Sequence, residues 1–243
     1  MNNPFNNDFK KSLHTGFIDS EVESTKLYQP KLLVNKKIPK EKVLSSILSE
    51  LDSCEEFFIT VAFATNSGVA VLLNSLILLE KKGIKGKVLV SQYLNFTEPE
   101  ALRRILRFKN IELKILTSEN AHSKGYIFKR KGYYNLIVGS SNLTANALTV
   151  NKEWNIKISG MSTGTMVDQV LNEFKIDFEI ATAVSNDFIN KYQTVYETQR
   201  LINRKSPEIS IVNEFISPNS MQKEALRNLV DLRRNHKAKA LII

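Results

Sequence analysis

Apolar residues fall into two alternating rhythms along the first half of this chain. In "IPKEKVLSSILSELDSC", Val43, Ile47, Leu48 and Leu51 recur at helical spacing, with Pro39 near the first turn. "EEFFITVAFAT" follows as a short apolar run rich in aromatic and β-branched residues, the pattern of a strand covered on both faces. The spacing then predicts a helix over about 68–82 that ends at Gly83. "GKVLVSQ" reads as the next strand. "TEPEALRRILRFKN" opens with Thr97 and Glu100 in capping-box spacing and predicts a helix whose solvated face carries Arg103, Arg104 and Arg107. "IELKILT" alternates as a strand. The order strand–helix–strand–helix–strand implies an α/β fold with a mostly parallel central sheet flanked by helices.

The second half changes rhythm. "HSKGYIFKRKGYYNLIVGSS" holds two strand patterns about a polar turn, Lys129 to Gly132, and predicts a hairpin. "EWNIKIS" alternates, placing Trp154, Ile156 and Ile158 on one face, where Trp154 is expected to join the core. Two helical segments follow, roughly 166–180 and 185–204, forming a helical C-terminal extension. A connector leads to a last helix with Leu226, Leu229 and Leu232 in phase, and then an abrupt apolar strand start.

Composition narrows the class. At 243 residues there is room for one large domain, or one domain plus a fragment, and 42% of the residues are hydrophobic, enough for a real core. No apolar run reaches membrane-span length, so no membrane partner is expected. The start "MNNPFNNDFKK" lacks the apolar core of a signal peptide and reads as a loose tail. The one cysteine, Cys54, excludes an intrachain disulfide and a thiolate metal site; it fits a reducing cytoplasm and a small buried hydrophobe. The net charge of +9 favours polyanions, nucleic acid before lipid surface.

Candidate chemistry gathers around one of the three histidines. In a strand alternate residues share a face, so "HSKGYIF" puts His122 and Lys124 side by side with Tyr126 and Phe128. A histidine nitrogen can attack phosphorus and carry the phosphoryl group as a covalent intermediate. A lysine ammonium and amide donors hold the non-bridging oxygens as charge redistributes. "VGSSNLT" supplies such donors: Gly139, Ser140 and Ser141 let backbone approach a ligand closely, and Asn142 offers an amide. Glu153 is placed to orient an imidazole or fix its tautomer.

"HSK" followed by "GSSN" resembles the phospholipase D superfamily signature, His-x-Lys then Gly-Ser-x-Asn, and the downstream Glu153 resembles the nuclease branch. The resemblance spans about 31–159 in element order, and its specific part runs from His122 to Glu153. It implies a phospholipase D-like fold and a phosphodiesterase working through phosphohistidine, with no metal and no cofactor. It also implies that His122 is the nucleophile or its acid partner, that Lys124 and Asn142 hold phosphate, and that Ser140 assists. The fuller family motif has an aspartate five residues after the lysine, where this chain has Lys129. An active site in the superfamily takes two His-x-Lys motifs, whereas this chain has one, since neither His14 nor His236 is followed by a lysine two residues on. Two chains are therefore expected to meet in a homodimer.

"SPNSMQKEALRNLVDLRRNHKAKALII" resembles the entrance to a superfamily 2 helicase, where a glutamine-bearing helix precedes the first motor strand. That family's phosphate-binding loop would come next; the sequence ends at Ile243 before it, so ATP binding is not expected here and a longer protein is implied. The resulting expectation is a tail at 1–30, a nuclease domain at 31–182, a helical linker at 183–216 and the start of a motor at 217–243. The leading function is a DNA endonuclease domain of a helicase-linked, restriction-type protein. The competitors are a catalytically silent DNA-binding module, suggested by Lys129, and a lipid phosphodiesterase, disfavoured by the charge and the single motif.

Overall fold

The computed structural model describes residues 5–92, 95–117 and 121–205, with 228, 230 and 232. Chain contacts divide it into two units, Met1–Ile202 and Asn203–Ile243. The helices are α1 (Asn6–Phe17), α2 (Val43–Ser53), α3 (Asn66–Lys81), α4 (Pro99–Leu106), α5 (Ala145–Thr149), α6 (Thr165–Ile180) and α7 (Asn186–Lys205). The strands are β1 (Lys31–Leu33), β2 (Glu56–Val61), β3 (Lys85–Ser91), β4 (Ile111–Leu116), β5 (Gly125–Arg130), β6 (Tyr133–Gly139), β7 (Asn155–Gly160) and β8 (Thr182–Ala183). In the second unit the described residues Asn228, Val230 and Leu232 are helical; the rest of the predicted helix, with Leu226 and Leu229, and the strand start lie outside the described residues.

Strand alternation decides which core each side chain enters. Phe57 and Ile59 of β2, Val88 and Val90 of β3, and Tyr126 and Phe128 of β5 face a large core. Val43, Ile47 and Leu51 of α2, Leu72 and Leu76 of α3, and Leu102 and Ile105 of α4 complete that core. Leu89, Ile127 and Leu136 point the other way, against Val167, Phe174 and Phe178 of α6. The helical and strand periodicities of 43–116 thus become a layered α/β fold. Among the described residues no helix is long and apolar enough to cross a membrane.

The sheet is mixed rather than mostly parallel. Its order is β1-β7-β6-β5-β2-β3-β4-β8. Only β2–β3 and β3–β4 run parallel; the other five pairings are antiparallel. The expectation fails because β5 follows β4 with no helix among the described residues between them, and it enters the sheet antiparallel to β2. The two-residue turn between β5 and β6 forces a hairpin. Ser140 N donates to Trp154 O (3.0 Å), which closes the connection through α5 at the end where β6 stops, so β7 returns antiparallel.

Three local expectations also change. The predicted loose tail contains α1, whose Phe9 packs with Tyr28 and Tyr133. Thr97 does not cap α4: Glu98 holds the cap position, and the buried Thr97 hydroxyl donates to Ser91 O (3.4 Å) and receives the Ala64 N–H (3.4 Å). Trp154 is not core. It lies just before β7 and is 64% exposed.

One polar cluster was invisible in the pattern. Glu50 of α2, 2% exposed, reaches the sheet and meets Lys157 Nζ at 2.5 Å and Arg130 Nε at 3.3 Å. Asn135 Nδ2 donates to the same carboxylate (2.8 Å), and Ser159 Oγ donates to Asn135 Oδ1 (2.6 Å). Removing one member strands the others, because buried charge left without a partner is far costlier than a pair never made. Glu50→Ala is therefore expected to destabilise the protein by roughly 3–5 kcal/mol, read as a lowered urea midpoint. A loss under about 1 kcal/mol would assign the cluster the weight of an ordinary surface pair.

Candidate active site

Antiparallel pairing brings distant segments to one edge of the sheet. Thr60, near the end of β2, pairs with Gly125 at the start of β5, and Gly125 pairs with Val138 near the end of β6. Gly139 ends β6 and pairs with Asn155, the first residue of β7. Lys124, the "GSSN" turn and Glu153 therefore converge where these strands end. His122 and Lys124 stand in the chain leading into β5, not inside the strand as the alternation predicted. The reason is that pairing to β2 begins only at Gly125.

Within this lead-in His122 is exposed and Lys124 is 7% exposed. The Lys124 ammonium lies 2.6 Å from His122 Nδ1 and donates to the His122 carbonyl at 2.6 Å. Nδ1 then acts as acceptor, which places the proton of a neutral ring on Nε2. Burial holds the Lys124 pKa below the ordinary lysine value, partly offset by the negative charge of Glu153.

The "GSSN" turn is braced from several sides. The Gly139 N–H donates to Lys124 O (3.2 Å), which couples the turn to the lead-in. A Cβ on Gly139 would come within 2.2 Å of Trp154 O, so the close approach of these two segments requires glycine here. Buried Ser141 donates its N–H to Asn155 Oδ1 (3.2 Å), and its hydroxyl accepts from Asn155 Nδ2 (2.8 Å). Tyr126 OH donates to Ser141 O (3.1 Å). Burial, with the Glu153 charge adding, pushes the Tyr126 phenol well above its usual pKa, so it remains a donor.

Two groups of the turn keep capacity for chemistry, buried Asn142 (8% exposed) and exposed Ser140. Asn142 Oδ1 accepts the Phe63 N–H (3.3 Å), which leaves the NH2 end, donors only, for an anion. Ser140 is exposed; its hydroxyl donates to Glu153 and accepts the Trp154 N–H (3.1 Å). A cleft of about 380 Å³ opens beside His122, Ser123 and Lys124, with Thr60 on one side and Glu173 and Asp177 of α6 on another. All five predicted residues, His122, Lys124, Ser140, Asn142 and Glu153, are thus gathered at one edge. Sequence reading missed Asn155 and Phe63, which hold the turn through contacts far along the chain. Lys129 pairs with Glu56 (3.8 Å) near the opposite end of β5, five residues or about 16 Å from Lys124.

The family model described as "Cardiolipin synthase, PLD-like domain" matches residues 47–178, more than half of the chain. The protein belongs to this phospholipase D-like family. Among solved structures, Nuc from Salmonella typhimurium, a phospholipase D family member, is 18% identical with a TM-score of 0.51 and covers 65% of this chain and 100% of its own. NucT from Helicobacter pylori is 17% identical (TM-score 0.49; 65% of this chain, 99% of its own). Phosphatidylserine synthase from Haemophilus influenzae is 13% identical (TM-score 0.48; 72% and 46%). No curated protein matches the chain.

The anion-holding role expected of Lys124 from the sequence requires the charged ammonium, so its depressed pKa makes that role testable. Sulfate, which does not titrate in this range, should bind below the lysine pKa and be lost as pH rises through it. That loss should begin at lower pH than for an ordinary lysine, and Lys124→Arg should move it upward. Calorimetric titration of sulfate across pH checks this; an unchanged profile in Lys124→Arg would remove Lys124 from the anion site.

Proposed function

We propose that this chain is a DNA endonuclease domain that cleaves phosphodiesters through a phosphohistidine intermediate in a homodimer. The observation that carries the reading is the His122–Lys124 contact at the mouth of a cleft, joined through the Gly139 N–H to the turn that holds Asn142 and the Ser140–Glu153 pair. An incoming phosphate draws the Lys124 ammonium onto a non-bridging oxygen and releases Nδ1. The ring proton can then reside on Nδ1, with Glu153 favouring that tautomer, and Nε2 becomes the nucleophile. The N–P bond forms as the P–O bond to the leaving group breaks, while Lys124 and Asn142 hold the equatorial oxygens and the Ser140 hydroxyl, turning its proton from Glu153, joins them.

The departing oxygen needs a proton from the far side, which the same imidazole cannot supply during in-line attack. The His122 of a second copy supplies it, then takes a proton from water as water displaces His122 from phosphorus. A two-fold interface puts each residue opposite its own copy, which meets this need with one motif per chain. The net charge of +9 favours nucleic acid over a lipid phosphodiester. The resemblance of the 217–243 segment to a helicase entrance supports a cytoplasmic, restriction-type setting. The silent-module alternative rests on Lys129, which pairs with Glu56 (3.8 Å) at the other end of β5 from Lys124.

Plasmid cleavage by the purified chain is expected to persist in EDTA and to fall at least about 1,000-fold in His122→Ala. Cleavage that needs added magnesium and survives His122→Ala would sink the mechanism. Lys124→Ala should lower kcat by roughly 100- to 1,000-fold with little change in KM; the reverse pattern would make Lys124 a docking residue. Mixing wild-type with His122→Ala chains under exchange should make activity fall as the square of the wild-type fraction. A linear fall would mean that each chain acts alone.

A further inference from the structure

Trp154 is the chain's one tryptophan, and its large apolar side chain is 64% exposed at the site's edge. Its backbone is held from both sides by the phosphate turn: Ser140 N donates to Trp154 O (3.0 Å), and Trp154 N donates to Ser140 Oγ (3.1 Å). The residue before it is Glu153, which accepts from the same Ser140 hydroxyl. An indole fixed next to a phosphate site, yet not buried, is placed to receive a flat apolar ligand that arrives with a phosphate.

Exposed lysines accompany Glu153 around Trp154. Leu33 of β1 pairs with Asn155, so the chain leaving β1 runs past the start of β7. Asn35 Nδ2 donates to Asn151 O (2.7 Å) and to Ala147 O (2.8 Å), tying that segment to the turn before Trp154. Exposed Lys36 and Lys37 follow Asn35, and exposed Lys152 follows Asn151. Lys36 is partly neutralised by Glu41 (2.9 Å), which leaves Lys37 and Lys152 as the stronger anion contacts. On the other flank Glu173 and Asp177 line the cleft and disfavour a phosphate backbone there. Charge therefore directs a polyanion from Lys124 past Trp154 toward Lys152 and Lys37.

We propose that Trp154 is a stacking platform for an unpaired nucleobase next to the cleaved phosphate, so that the site selects single-stranded or locally opened nucleic acid. The inference rests on the nuclease reading above. The base adjoining the phosphate on Lys124 lies on the indole, and the following phosphate reaches Lys152 and Lys37. A paired base has both faces covered by its neighbours in the stack and cannot be taken up in this way.

Trp154 is its own reporter, because no other tryptophan contributes emission. The full-length His122→Ala chain is titrated with a labelled oligothymidine and with an abasic oligomer of equal length, following label anisotropy and tryptophan emission together. Both oligomers should bind, only oligothymidine should quench, and Trp154→Ala should weaken oligothymidine about tenfold while sparing the abasic strand. Trp154→Phe should restore most of the affinity. Equal quenching by both strands, or equal weakening of both, would overturn the stacking role. A change in emission on diluting the protein alone would assign Trp154 to a contact between chains instead. If neither oligomer raises anisotropy, nucleic-acid binding itself fails, and this inference falls with it.

Discussion

The register of β5 between β2 and β6 is the constraint on which the site depends. Thr60, Gly125 and Val138 lie in one row across three strands, and the Gly139 N–H closes on the Lys124 carbonyl just beyond it. Side chains alternate with period two, so a slip by one residue would exchange Tyr126 and Phe128 with Ile127 between the two cores. The size of the two cores makes that slip prohibitive. Hydrophobic sorting in the middle of the strand thus fixes where an imidazole and an ammonium stand at its end.

A second consequence is electrostatic. Lys124 and Glu50 both show how burial handles charge, with opposite outcomes. Glu50 is surrounded by Lys157, Arg130 and Asn135 and behaves as a structural anchor between α2 and the sheet. Lys124 is as deeply placed but leans on a histidine and on the field of Glu153, and its charged form is disfavoured. That incomplete compensation is what an arriving anion can complete. Cys54, by contrast, is a thiol whose burial pushes its pKa up to about 11, which leaves it inert as a small hydrophobe.

Much of the fold was legible because 43–116 carries strong helical and strand periods, and the residues that converge were legible because their spacing is distinctive. Direction was not. Periodicity is the same for parallel and antiparallel strands, so the turn at Lys131–Gly132 and the closure of Ser140 on Trp154 decided what the pattern could not. Asn155 and Glu50 look like ordinary polar positions until tertiary pairing reveals their partners. Trp154 was misplaced because its parity with Ile156 and Ile158 suggested a covered face. A single helix about 10 Å wide cannot cover an eight-stranded sheet several times broader, and α6 reaches Ile158 while Ile156 stays half exposed.

Gly139 has a counterpart in Gly68 of α3, where a Cβ would come within 1.9 Å of Leu143 O. The segment from Gly139 to Leu143 is thus pressed at each end against backbone. Such a turn is a poor place for gradual change: almost any larger residue at either glycine displaces Ser140 and Asn142 together. On the reading proposed above, variation in substrate would arise at the rim, on Lys36, Lys37, Lys152 and Trp154, which are exposed. In a lineage of such proteins the anchor would stay constant while the rim diversified, giving one chemistry many targets.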